Sequence, residues 1–404
     1  MKRLIKNYLP LLAIAFLHAA AAAAIILTEA IYLREGLQAS YSLIGSVLGA
    51  GAIGYLLLAP YLVNIPKRIG RGRYLVWSSF ALALSAIAAA NLTNAAGYFF
   101  TKTAIILLAP TSFHAILDSV EETYRYKKNK DRRIFAASLT AALGGIIGFI
   151  TGGYVASIAY GHAYALATAL LLTAGFISLQ LKNNPEKPRY EETQHNLIQR
   201  IETCLTKKHR LLTIVVIATN AYWALRDLTI PLLLTDMGYT PATIGILFAL
   251  GAVAGVISMF ATRHLLEKNH PERVIIAALL LAAVASLILP FGGLIVIGIM
   301  YALYVFADAA LTPAVSDRVE ETTPPKQAAP FLQSLAAPAA LAWVLAPWIA
   351  GVALEAGASL RVILFIAGAL LALVYEAARR KWLAEDMYIP PISFKKNKKE
   401  LIWR

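Results

Sequence analysis

The sequence predicts an all-α membrane protein of about twelve transmembrane helices, arranged as two pseudo-symmetric six-helix bundles. Three observations carry this. Hydrophobic residues make up 59% of the 404 and charged residues only 15%, against about 25% charged in an ordinary soluble domain. So large an apolar excess needs lipid as its solvent. Apolar runs long enough to span a bilayer alternate with short polar segments, and the chain resembles itself at an offset of about 200 residues.

The elements follow in order. Met1–Tyr8 is basic, and Ala19–Ala24 offers small residues of the kind found at signal-peptide cleavage sites. The apolar run continues to Leu33, however, longer than a signal core, so Leu9–Leu33 is read as the first span. The next five are Ser42–Val63, Tyr74–Leu92, Tyr98–Leu117, Phe135–Ile158 and Ala163–Leu181. After a polar stretch come Leu211–Leu233, Pro241–Thr262, Val274–Leu289, Gly293–Pro313, Phe331–Leu354 and Leu360–Ala378. The third and ninth are short.

Charge then sets topology. With the N-terminus in the cytoplasm, the inside segments hold Lys2, Arg3 and Lys6; Lys67, Arg68, Arg71 and Arg73; Arg125 through Arg133; Arg263, Lys268 and Arg273; and Arg318 and Lys326. The outside loops carry little beyond Arg34, and only Lys102, Arg226 and Arg361 fall within spans. This is the positive-inside pattern, and it predicts an even number of spans with both termini cytoplasmic. The net charge of +14 is thereby assigned to an anionic lipid surface rather than to nucleic acid.

The expected organisation is residues 1–181 as one bundle, 182–210 as a cytoplasmic linker, 211–381 as the second bundle and 382–404 as a basic tail. Leu197, Ile201 and Leu205 recur at i, i+4, i+8, which predicts a short amphipathic helix within the linker. The single cysteine, Cys204, excludes a disulfide framework. No histidine spacing suggests a metal site, and no cofactor is expected.

The repeat is local as well as global. Ser40-Tyr41-Ser42-Leu43-Ile44-Gly45 answers Thr240-Pro241-Ala242-Thr243-Ile244-Gly245, with Ser40 and Thr240 placed to cap the following helix. Asp118-Ser119-Val120-Glu121-Glu122-Thr123 answers Asp317-Arg318-Val319-Glu320-Glu321-Thr322 at the inner end of each half's fourth span. Two parallel halves of this kind place a substrate site between them near the midplane.

With these features the chain resembles the major facilitator superfamily over nearly its whole length. Residues 63–71, Val-Asn-Ile-Pro-Lys-Arg-Ile-Gly-Arg, are similar to the superfamily loop signature Gly-x-x-x-Asp-Arg-x-Gly-Arg. Arg68, Gly70 and Arg71 match, while Val63 and Lys67 replace the Gly and the Asp. Gly144 through Gly153 resembles the fifth-span motif of drug–proton antiporters, with Phe149 in place of Pro. The same glycines also suit a small-xxx-small packing face. The resemblance implies a monomeric secondary transporter in the cytoplasmic membrane. It would move a small organic solute by alternating access, by proton-coupled export, with proton-coupled uptake and uncoupled facilitation as the alternatives. The resemblance also implies a cavity lined by the first, fourth, seventh and tenth spans.

Charges inside a membrane are costly and mark function, so those spans carry the candidate site. In the first, His18, Ala22, Ile25 and Glu29 share a helical face. In the seventh, Asn220, Trp223 and Asp227 form a stripe, beside Tyr222 and Arg226. Arg226 is expected to bind an anionic group or pair with Glu29 or Asp227. In the tenth, Tyr301, Tyr304 and Asp308 form another stripe, suited to an aromatic or cationic solute. Asp308 is the first choice for proton coupling, followed by Glu29 and Asp227. Lys102, near the outer end of the fourth span, is expected to snorkel outward. At the inner face, Asp118 or Glu121 is expected to pair with Arg68 or Arg71, and Asp317 or Glu320 with Arg263. These pairs would close an inner gate between the halves. A membrane enzyme holding Mg²⁺ on the two D-x-x-E-E segments is the distant rival, and it has no need of two matched halves.

Overall fold

The computed structural model describes residues 2–62, 64–92, 94–123, 130–183, 197–206 and 209–388. It is all-α. The first half comprises α1 (Lys2–Ile31, extended by a π-helical turn Tyr32–Gly36), α2 (Tyr41–Leu62), α3 (Ile65–Ile69), α4 (Arg71–Ala90), α5 (Ala95–Thr123), α6 (Lys130–Ala156) and α7 (Tyr160–Ser178). The linker carries α8 (Leu197–Cys204). The second half comprises α9 (Arg210–Asp236), α10 (Pro241–Lys268), α11 (Pro271–Ile288), α12 (Leu294–Thr322), α13 (Pro325–Glu355) and α14 (Leu360–Tyr388).

Among the described residues, eleven helices are long and apolar enough to cross a membrane. The remaining long helix, α2, has 22 residues, about 33 Å at 1.5 Å per residue, so it too matches a bilayer core. Each expected span corresponds to one of these twelve helices. Where the connections within each half are described they are short turns, so the directions of successive spans alternate there. The start of α1 and the end of α14 therefore face the same side, called here the termini side.

Local chemistry explains where helices begin. The Ser40 hydroxyl accepts the Leu43 N–H at 3.3 Å, and the Thr240 hydroxyl accepts the Thr243 N–H at 3.4 Å. Both expected caps are thus formed, at equivalent places in the repeat. Gly70 holds φ +89° between α3 and α4, a conformation L side chains rarely adopt, and a Cβ there would collide with Asn183. Val63 of the loop signature lies outside the described residues.

Packing repeats with the sequence. Within the halves, α1 lies along α6, α4 along α7, α10 along α12 and α11 along α14. Between the halves, α2 crosses α13 and α6 crosses α10. Glycine makes these approaches possible. A Cβ on Gly148 would stand 2.7 Å from the Cα of Ala20, and one on Gly152 2.6 Å from the Cα of Ala24. Gly144 meets the Phe16 backbone in the same way. The fifth-span glycine stripe is therefore a packing face against α1. Large apolar side chains such as Trp77, Phe100, Tyr154, Ile295 and Leu373 are exposed on the outer surface, as a lipid-facing belt requires.

Candidate functional site

A cavity of about 440 Å³ lies between the halves. Its walls come from α1, α2, α5, α9 and α13: Ala22, Ile25 and Glu29; Leu48; Lys102 and Ile105; Asn220, Trp223 and Asp227; and Trp343. A second cavity of about 410 Å³ adjoins it on the termini side. The two share Asn220, Trp223 and Trp343, and the second adds Asp308 of α12. The expected lining by the tenth span thus holds for the second cavity only; α2 and α13 line the first.

On the first half's wall, Glu29 and Lys102 form a buried ion pair, their side chains 3% and 9% exposed. The Tyr98 hydroxyl donates to Glu29 Oε1 at 3.1 Å and lies 2.5 Å from the Tyr164 hydroxyl. The Tyr32 ring packs against Tyr98, Tyr160 and Tyr164. Lys102 therefore does not snorkel. A neighbouring carboxylate solvates its ammonium at depth, so reaching for the surface brings no gain.

On the second half's wall, Arg226 donates to Asp227 Oδ1 through Nε at 3.0 Å and Nη2 at 2.7 Å. Its guanidinium lies 3.6 Å from the centroid of the Trp223 ring. Asp227 and Trp223 face the cavity, while Arg226 sits behind them, packed towards Phe248 and Tyr301. Trp343 Nε1 donates to Asn220 Oδ1 at 3.0 Å, and Asn220 Nδ2 donates to the Val216 carbonyl at 2.8 Å. The amide that lines both cavities is thereby held rigid. Asp308 makes no hydrogen bond or ion pair among the described residues, and its carboxylate faces the second cavity.

Several expected cavity residues stand elsewhere. His18 hydrogen-bonds Ser79 of α4 at 2.7 Å and lines neither cavity. Tyr222 and Tyr304 pack ring to ring at 4.4 Å, and Tyr301 packs on Phe248 at 4.9 Å. That tyrosine face of α12 turns to α9 and α10. The face turned to the second cavity begins at Asp308 and continues through Leu311, Thr312 and Val315.

The inner-face expectations change more. Arg71 lies 3.9 Å from Asp118, as expected, but both belong to the first half, so the pair joins α4 to α5 and not half to half. Arg68 is exposed on α3, and the Glu121 side chain lies outside the described residues. Arg263 does not take Asp317 or Glu320; it points outward and reaches Glu267, one turn along α10, at 3.7 Å. Arg318 bridges instead to Glu272 of α11. Glu321 also comes near Glu272 and His270, and Glu272 is the carboxylate that Arg318 engages. Three ion pairs and hydrogen bonds among the described residues join the halves at the opposite side. They are Arg34–Asp236 at 2.6 Å, the Ser42 N–H to Glu355 at 3.3 Å and the Ala242 N–H to Ser157 at 2.9 Å.

Comparison with known proteins agrees with this architecture. The sequence profile described as Major Facilitator Superfamily matches residues 11–336. None of the curated proteins matches the chain. Among solved structures, the nucleoside transporter NupG superposes with a TM-score of 0.80 at 13% identity, over 93% of this chain and 99% of that one. An inward-facing, unoccupied bacterial homolog of the human lysosomal transporter Spinster gives 0.73 at 14% identity, over 94% and 97%. The human organic anion transporter MFSD10 (TETRAN) gives 0.62 at 15%, over 93% and 99%.

Proposed function

This chain belongs to the Major Facilitator Superfamily, a family of transporters rather than enzymes, and we propose that it carries a small, uncharged, ring-bearing organic solute by proton-coupled alternating access. The cavity between the halves carries the proposal. Its charges are paired, Glu29 with Lys102 and Asp227 with Arg226. A solute with a net charge would be left uncompensated in a site of low dielectric. The half-buried indoles of Trp223 and Trp343, which line the cavity, suit a planar ring, and Asn220 and the ion pairs offer both donors and acceptors at its edge. The nucleoside named for one fold neighbour is a solute of this chemistry, and is the first to test.

Asp308 is the coupling carboxylate in this reading. Glu29 and Asp227 already hold cations, whereas Asp308 faces the termini-side cavity with no partner among the described residues. The opposite-side bridges hold the halves together there, and their release would open that side. With the basic loops read as cytoplasmic, the arrangement corresponds to an inward-facing state. One chain supplies every wall of both cavities, and a monomer suffices. The glycine stripe that suggested export is accounted for by packing, so direction rests on the assay.

The purified protein in proteoliposomes tests this. Labelled nucleosides and other neutral heteroaromatic solutes should exchange by counterflow, and an imposed pH gradient should drive net movement whose direction separates export from uptake. Exchange of charged solutes alone would overturn the solute class. Exchange unaffected by a pH gradient would overturn the coupling.

A further inference from the structure

A third concavity, of about 540 Å³, opens away from the solute cavities. Ile201 of α8, Leu205 just past its end, Ile217 of α9, Ala346 and Ile349 of α13 and Leu370 of α14 line it. Thr213 is the one lining residue with a polar side chain, and its hydroxyl is engaged by the Cys204 carbonyl at 2.7 Å. No free polar group is offered to a solute. Leu345, Ile349 and Leu370 are about half exposed, so the groove is continuous with the lipid-facing belt. Pro338 and Ala353 mark its ends on α13, about 23 Å apart at 1.5 Å per residue, longer than the roughly 15 Å depth of one leaflet.

Its termini-side end is different in charge. The amphipathic helix α8 lies across that end with Ile201 and Leu205 turned into the groove. Arg210 lies seven residues before Ile217, on the same face of α9, and Arg200 adjoins Ile201. Neither arginine has an ion-pair partner among the described residues, and the one described carboxylate on α8, Glu202, lies on the other flank of Ile201.

We propose that this groove binds an anionic phospholipid, one acyl chain lying along α13 beneath α8 and the headgroup phosphate held between Arg200 and Arg210. The site is independent of which solute is carried. It does bear on transport, because the opposite face of α13 presents Ala336, Ala339 and Trp343 to the solute cavities. The lipid therefore backs the wall that must move when the halves rock, and its occupancy favours the packing seen here.

Native mass spectrometry of the full chain, released from nanodiscs of mixed phosphatidylglycerol and phosphatidylcholine, tests the proposal. The wild type should retain phosphatidylglycerol selectively. Arg200→Gln with Arg210→Gln should lower that retention about 30-fold, the effect of removing two cations at an anionic surface. Ala346→Trp, which fills the groove, should release both lipids. In the unaltered protein, a phosphatidylglycerol with a diazirine in its acyl chain should label residues 338–353 and 363–370, a readout that survives if a variant fails to fold. Equal retention of the two lipids, labelling elsewhere, or a dimer that seals the groove would each overturn it.

Discussion

Replacing Lys102 with Met leaves Glu29 as an uncompensated charge among apolar side chains, and the structure sets the scale of the loss. The two side chains are 3% and 9% exposed, so water does little to screen them. Two unit charges at 4 Å attract by about 4 kcal/mol at an effective dielectric of 20. Stranding one member of a buried pair costs about 3–5 kcal/mol, whereas replacing both with neutral groups of similar size is often close to neutral. The Tyr98 hydroxyl, 3.1 Å from Glu29, recovers part of the loss, so the lower end of that range is expected. Lys102→Met should therefore lower the melting temperature in detergent by several degrees, followed by fluorescence-detected size-exclusion chromatography. Adding Glu29→Gln to it should restore most of that loss. The four corners form a double-mutant cycle whose coupling energy measures the pair. If Lys102→Met is as stable as the wild type, or the double variant no more stable than Lys102→Met alone, the pair is not the buried, mutually dependent unit described.

Further predictions follow from single contacts. Gly148→Ala should cost about 1–3 kcal/mol, because its Cβ meets the Ala20 backbone. Gly145→Ala, with nothing within 4 Å, should be neutral or stabilise by up to about 1 kcal/mol, and thermal melting separates the two. Asp308→Asn should abolish movement driven by a pH gradient while leaving counterflow exchange, measured in the same vesicles. Burial pushes the Cys204 thiol up to about 11, so at pH 8 only about a thousandth is thiolate. Maleimide should react slowly with it, faster as pH rises towards 11, and abruptly faster if α8 undocks. Arg34→Gln removes a half-exposed bridge worth about 0–1 kcal/mol. It should raise the accessibility of cysteines introduced at the opposite-side mouth by up to about five-fold.

Much of the fold was legible because its signals are local. Spans follow from apolar length, helix starts from Ser40 and Thr240, and the parity from basic loops. Within the site, the sequence separated the residues with intramembrane charge from the rest. Rotation about the helix axis was not legible. A stripe such as Tyr301, Tyr304 and Asp308 defines a face, but the neighbour it meets depends on how α9 and α10 pack, and two of the three turn inward to those helices. His18 failed for the same reason. Lys102 was misread because a lysine near a span's end has two low-energy options, and the carboxylate that decides between them lies 73 residues away in sequence. Trp343 was not legible from the superfamily resemblance, which implies lining by the first, fourth, seventh and tenth spans and not by the eleventh. One signal was available: it lies seven residues after Ala336 on the same helical face, in a run otherwise rich in small residues.

The repeat also accounts for how such a packed molecule can move. Gly45 and Gly245 occupy equivalent places in the two halves. A Cβ on Gly45 would stand 3.2 Å from the Cα of Gly351, and one on Gly245 would stand 3.2 Å from the Cα of Gly153. The helices that cross between the halves therefore touch backbone to backbone at two symmetry-related points. Beside these points the α6–α10 crossing also packs rings across the halves, Phe149 on Phe248 at 5.5 Å and Phe135 on Phe260 at 5.0 Å, so a change of crossing angle slides on the glycines but must repack those pairs. The residues that break the symmetry lie elsewhere. Asp227 is near the counterpart of Glu29, but its cation is the adjacent Arg226, and the position of α12 equivalent to Lys102 holds Tyr301. The first half balances its carboxylate across two helices, α1 and α5, while the second balances its own within α9. Opening the first half's helices would strain its pair; opening the second's would not.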